Sequence, residues 1–210
     1  MNDKQQISVY SFIKDLPNIC SLLGLLSAVI GIYFSIQGNF SAAIIGILWA
    51  VLFDWFDGII ARNMKGRTKE QSEFGAELDS MIDIVSFGVL PAIILLSYAE
   101  YSIWFLPGAF VIIAAAAIRL TYFNLFGLMD SKTYKGLSVD NNALILAFVF
   151  LFENIFKHSI FSILLYIIII MISILNLSSI PTPKLGGKWI YALVGYVLVL
   201  TSFFGWQLLY

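Results

Sequence analysis

Four aspartates could do chemistry together. Asp54, Asp57, Asp79 and Asp83 fall in one stretch, DWFDGIIARNMKGRTKEQSEFGAELDSMID. On a helix, positions 54, 57, 58 and 61 share one face, and so do 75, 79 and 83. Two such helices side by side bring four carboxylates into one pocket, with Gly58, Ala61 and Gly75 leaving space for a close-lying ligand. The flanking runs are apolar, and a carboxylate near hydrocarbon costs about 3 kcal/mol or more unless it is paired, hydrated or bound to a cation. Four facing carboxylates also repel one another. Divalent metal relieves both costs, and an oxygen-only donor set favours hard ions such as Mg²⁺, Mn²⁺ or Ca²⁺.

The order Asp54-x2-Asp57-Gly58-x2-Ala61-Arg62, then Gly75-x3-Asp79-x3-Asp83, resembles the signature of the CDP-alcohol phosphotransferases. The interval between Arg62 and Gly75 is longer than that signature usually carries, and the extra residues are expected in a polar loop around Lys65–Lys69. The resemblance implies that Asp54, Asp57 and Asp79 hold metal, that Asp83 completes a second site, and that Asp83 is also the general base on an acceptor hydroxyl. It implies a cofactor pair of Mg²⁺ or Mn²⁺ ions about 4 Å apart, clamping a transferring phosphoryl group. Gly58, Ala61 and Gly75 would then make room for cytidine and diphosphate, and Arg62 would bind phosphate oxygens.

The run from Asp79 to Ala92, DSMIDIVSFGVLPA, is similar to the phosphatidylserine synthase branch of that family. Ile118–Asn124 and Ser179–Lys184 resemble two further segments of the branch. By this resemblance the substrates are CDP-diacylglycerol and L-serine, the products are phosphatidylserine and CMP, and the assembly is a homodimer. The same family with another acceptor, such as inositol phosphate or glycerol phosphate, is the alternative. Gly136-Leu137-Ser138 departs from the branch, and Asp140, Asn141 and Asn142 follow it; they either cap a helix or reshape the acceptor pocket. Arg119 lies within an apolar span, where arginine is paired or faces a ligand. It either holds the acceptor carboxylate or a donor phosphate, or it snorkels beside a structural acid. Ser86 is either an acceptor contact or an intrahelical hydroxyl.

These residues must be carried by membrane helices. The 210 residues are 60% hydrophobic and only 12% charged, about half the charged fraction of a soluble domain. The expected fold is an all-α polytopic integral membrane bundle forming one domain over 1–210, with six or seven transmembrane helices. Seven candidate spans lie near 18–37, 40–62, 73–98, 102–125, 139–156, 159–179 and 188–209. Pro91 is expected to kink or break the third. Residues 1–17 contain Asp3 and Asp15 and no apolar run ending in a small-residue site, so they do not read as a cleavable leader. Ile7, Val9, Tyr10, Phe12 and Ile13 instead suggest a short amphipathic segment on the bilayer surface.

With the N-terminus in the cytoplasm, Lys4, Lys14, Arg62, Lys65, Arg67, Lys69, Lys132, Lys135, Lys184 and Lys188 fall on the cytoplasmic side and Lys157 outside. That bias puts the aspartates at the cytoplasmic face of the cell membrane. No basic patch interleaved with aromatics suggests nucleic acid. The lone Cys20 allows no internal disulfide and reads as a small helix residue. His158 falls at the opposite end from the aspartates. Tyr98, Tyr101, Trp104, Trp189, Trp206 and Tyr210 suit interfacial belts. Gly24, Ser27, Ala28 and Gly31 form a small-residue stripe fit to meet another helix or another protomer. A divalent-cation transporter using the aspartates as its pathway is the reading from a different class; the absence of two matched halves and the DGxxAR order weigh against it.

Overall fold

The computed structural model describes residues 9–127, 133–183 and 187–209. Asp3, Lys4, Ile7, Lys132, Lys184 and Tyr210, named above, lie outside them. The chain begins with a short helix α1 (Val9–Ile13), then α2 (Leu16–Ile36) and α3 (Phe40–Asn63). Pro17 sits in the first turn of α2, where its missing N–H costs nothing. Asn39 caps α3 by accepting from the Ala42 N–H at 3.1 Å. The amphipathic segment docks on protein: Phe12 stacks on Phe74 with centroids 4.6 Å apart.

Helix α4 (Lys69–Asp83) starts earlier than the expected third span. Thr68 and Gln71 form a reciprocal capping box at its start. The extra residues between the two aspartate pairs are therefore shared between a short loop and added helix, because the Thr68–Gln71 pair nucleates the helix well before Gly75. A π-helical segment, Ile84–Val89, joins α4 to α5 (Leu90–Tyr98). The break expected from Pro91 takes this form. Pro91 has no N–H for the Phe87 carbonyl four residues back, and the backbone slips into the wider register before it.

Next come α6 (Leu106–Phe126), strand β1 (Thr133–Lys135), α7 (Asp140–Phe150), α8 (His158–Leu177), strand β2 (Pro181–Pro183) and α9 (Trp189–Leu209). The strands pair antiparallel, Thr133 opposite Pro183 and Lys135 opposite Pro181. Gly136 follows with φ +82°, and a Cβ there would lie 2.7 Å from the Asn176 and Ser178 carbonyls. Only glycine lets the chain pass so close to the end of α8.

Among the described residues, six helical stretches are long and apolar enough to cross a membrane: Leu16–Ile36, Phe40–Asn63, Lys69–Tyr98, Ile103–Phe126, His158–Leu177 and Trp189–Leu209. The bundle is all-α and polytopic, and of the expected six or seven spans six are present among the described residues. The expected fifth, 139–156, contains only the 11-residue α7, about 16 Å of helix. Its polar start turns inward, and a 3-10 turn at Glu153–Ile155 ends the segment.

The small-residue stripe is used inside the chain. A Cβ on Gly24 would sit 3.3 Å from Phe53 Cβ, and one on Gly46 would sit 2.8 Å from Gly31 Cα. Helices α2 and α3 thus pack backbone to backbone. At the end of the bundle away from the aspartates, the Tyr98 ring lies 4.7 Å from Phe40, 5.2 Å from Phe161 and 4.5 Å from His158. Tyr98 is only 3% exposed, so it belongs to the core and not to a belt, whereas Tyr101, Trp104, Trp189 and Trp206 are all more than half exposed.

Candidate active site

Both halves of the aspartate pattern are helical, as their spacing requires, and α2, which packs against both α3 and α4, brings them together. Oxygens of Asp54, Asp57 and Asp79 all lie within 4.8 Å of one another. The Asp83 carboxyl interacts with those of Asp54, Asp57 and Asp79, and its Oδ1 is buried with no hydrogen-bond partner. Ser21 of α2 donates to Asp57 Oδ2. Asn124 of α6 donates to Ser80 Oγ at 3.0 Å, fixing the residue next to Asp79. Close carboxylates with an orphaned buried oxygen are the donor set of a hard divalent ion. The residues present fit Mg²⁺ or Mn²⁺, with Asp54, Asp57 and Asp79 as the nearest-grouped ligands and Asp83 beside them.

The glycines of the pattern lie under guanidinium groups. Arg62 folds back along α3, and a Cβ on Gly58 would lie 3.3 Å from its Nη1. At Gly75 a Cβ would meet Arg67 Nη2 at 2.8 Å and Asn18 Oδ1 at 2.9 Å. Arg67, from the inserted loop, is held by an ion pair to Asp15 at 2.7 Å, with side chains 9% and 1% exposed. Ala61 is half-buried and Arg62 exposed at the site mouth.

Arg67 escaped the sequence reading; its only signal was its place in the unusual insertion. A fifth carboxylate, Asp140, read from the sequence as either a cap or an acceptor-pocket residue, lies on the first turn of α7. Trp55 Nε1 donates to Asp140 Oδ2 at 2.9 Å, and the charge of Asp140 acts on Asp54, Asp79 and Asp83. The capping role considered for Asp140–Asn142 does not hold: the N-cap of α7 is Val139, with no side-chain cap bond. Asn142 is fully buried and donates to the Phe87 carbonyl at 3.1 Å. That carbonyl is the one Pro91 leaves without its α-helical donor. Asn142 Oδ1 accepts in turn from Asn176 Nδ2 at 3.0 Å.

Arg119 is 5% exposed on α6. Its Nε donates to the Leu137 carbonyl at 3.2 Å, and Asn176 Nδ2 donates to the same oxygen at 3.2 Å. Arg119 is therefore one bond removed from the Asn142–Asn176 pair. Ser86, 1% exposed in the π-helical segment, makes no intrahelical bond, and its Oγ has no partner among the described residues. Trp55 also lines an apolar groove of about 390 Å³ with Leu144, Phe148, Trp189, Leu193 and Tyr196. The groove thus runs up to the carboxylates through a single side chain. His158 stacks on Tyr98 at the far end.

Known proteins resemble this chain over most of its length. The family model described as CDP-alcohol phosphatidyltransferase matches residues 14–201. The chain is 36% identical over 190 residues to an archaetidylserine synthase of Methanothermobacter thermautotrophicus, covering 89% of this chain and 76% of that protein. It is 33% identical over 177 residues to a CDP-diacylglycerol–serine O-phosphatidyltransferase of Methanocaldococcus jannaschii, covering 84% and 79%. A protein of the same description from Helicobacter pylori is 26% identical over 192 residues, covering 89% and 79%.

Proposed function

Because the chain belongs to the CDP-alcohol phosphatidyltransferase family, we propose that it transfers the phosphatidyl group of CDP-diacylglycerol to the hydroxyl of L-serine, releasing CMP and forming phosphatidylserine. The observation that carries this reading is the cage of Asp54, Asp57 and Asp79 oxygens within 4.8 Å of one another, in a chain similar over most of its length to serine transferases. Bound to that cage, Mg²⁺ or Mn²⁺ supplies charge neutralisation for the diphosphate.

The chain's own residues do the rest. Gly58 and Ala61 leave the donor room, Gly75 admits the Arg67 guanidinium beside it, and Arg62 binds the donor's phosphate oxygens. Asp83, with its unpartnered Oδ1, takes the proton of the serine hydroxyl. The serine oxygen bonds to the lipid-bearing phosphorus, and the bond from that phosphorus to the CMP oxygen breaks. Arg119 orients the acceptor through its carboxylate, with Ser86 as a further contact. The donor hydrocarbon lies along the groove at Trp55, Leu144 and Phe148. The uneven distribution of basic residues supports a site facing the cytoplasm at the cell membrane. A homodimer belongs to the same reading, and cross-linking in native membranes tests it.

The direct experiment is CMP release by purified protein in detergent with Mg²⁺ or Mn²⁺, using ester- and ether-linked CDP-lipid donors and a panel of acceptors. The expected result is release that needs both metal and L-serine and is lost in Asp83→Asn. Release with inositol phosphate or glycerol phosphate in place of serine would move the acceptor assignment; metal flux across vesicles without CMP release would overturn the enzyme reading.

A further inference from the structure

Buried oxygens without partners occur on the elements around the cage. Among the described residues, Asp83 Oδ1, Ser86 Oγ, Asp140 Oδ1 and Asn176 Oδ1 are all buried and unpartnered. Ser86 and Asn176 are each 1% exposed. Asn142 of α7 ties their two elements together, through the Phe87 carbonyl next to Ser86 and the amide of Asn176. Asp140 belongs to the same turn of α7, and its Oδ2 is already held by Trp55 Nε1.

Buried polar atoms in native proteins are paired with few exceptions. A group of orphaned acceptors is completed by a ligand rich in donors. Here that ligand must also be positive, because Asp140 adds negative charge beside Asp54, Asp79 and Asp83. Asp140, like Asp83, stands outside the closely grouped oxygens of Asp54, Asp57 and Asp79, and its Oδ2 is already taken by Trp55 Nε1. An alkylammonium group carries three donors, no acceptor and one positive charge.

Resting on the serine reading above, we propose that Asp140 Oδ1, together with Ser86 Oγ, receives the ammonium group of the acceptor and so sets the enzyme's preference for an amino alcohol. In serine the ammonium-bearing and hydroxyl-bearing carbons are adjacent. An ammonium held there keeps the hydroxyl near Asp83, one turn before Ser86. Asp140 is then a specificity residue: it selects the acceptor and takes no part in the bond exchange at phosphorus.

The test compares L-serine with glycerate, which keeps the hydroxyl and carboxylate and lacks the ammonium, in full-length wild type, Asp140→Asn and Ser86→Ala. Asparagine keeps the shape and still accepts from Trp55. Asp140→Asn is expected to raise the KM for L-serine about 10- to 100-fold, the worth of a charge-assisted hydrogen bond. The KM for glycerate should rise far less. L-serine should raise the melting temperature of wild type with CMP bound, and that shift should vanish in Asp140→Asn. Ser86→Ala should show the same trend more weakly, and it carries the test if Asp140→Asn does not fold. Unchanged serine KM and unchanged thermal shift in both variants would overturn the proposal. So would loss of CMP release with every acceptor in folded Asp140→Asn, which would put Asp140 in the metal cage. Wild type that ignores L-serine sinks the acceptor reading first, visibly and before any variant is compared, and the proposal goes with it.

Discussion

The two ends of α3 are built on opposite physics. At its start, Phe40 packs against Tyr98 and Phe150, and those rings against Phe161, with centroids 4.7–6.2 Å apart. Aromatic edges and faces there fill space and leave nothing to bind. At its other end, Asp54 and Asp57 face Asp79 and Asp83, like charges lie close together, and buried oxygens lack partners. A fold optimised only for stability would not contain that second end. The aromatic end holds the helices in place and so offsets the cost of keeping like charges close together at the other.

That contrast is open to test, and the largest effect is expected at the carboxylates. Asp79→Asn should lower CMP release about a thousandfold, about 4 kcal/mol of transition-state stabilisation. Its melting temperature without metal should hold or rise, because one of several repelling charges is gone. A variant that loses activity and stability together would break the comparison. Phe150→Ala should do the reverse. It opens a cavity among Phe40, Tyr98 and Phe161 and should cost about 3 kcal/mol of stability, read as a lower melting temperature in detergent with KM values for both substrates retained. A large KM change in that variant would show that the two ends are coupled. Gly75→Ala should give the smallest of the three effects. Its Cβ would meet Arg67 Nη2 and Asn18 Oδ1 at 2.8–2.9 Å, and moving that guanidinium should cost about 1–2 kcal/mol. The expected readout is a rise in donor KM with little change for the acceptor.

The helical faces of the site were legible because they are local. A spacing of three or four residues fixes which side chains share a face whatever the helix packs against. The same holds for the capping residue Asn39, for Pro17 at the start of α2 and for the break before Pro91. The count of spans was less legible. An apolar run of suitable length does not reveal where its helix stops, and α7 ends at Phe150 in a turn that hydropathy does not detect. Tyr98 was misjudged for a related reason: a tyrosine at a helix end suits an interface equally well until its neighbours are known.

By itself, the sequence determined the membrane-spanning α-helical class, the two carboxylate-bearing faces and the family they resemble, since composition and helical period act within a single segment. Only the tertiary structure decided what meets those faces. It placed Asp140 beside the cage through Trp55, joined Asn142 to the carbonyl that Pro91 leaves open, and put Arg67 above Gly75. The first two link residues far apart in the chain, and the third depends on the ion pair that Asp15 makes with Arg67; their geometry is set by how whole helices pack, which no local periodicity encodes.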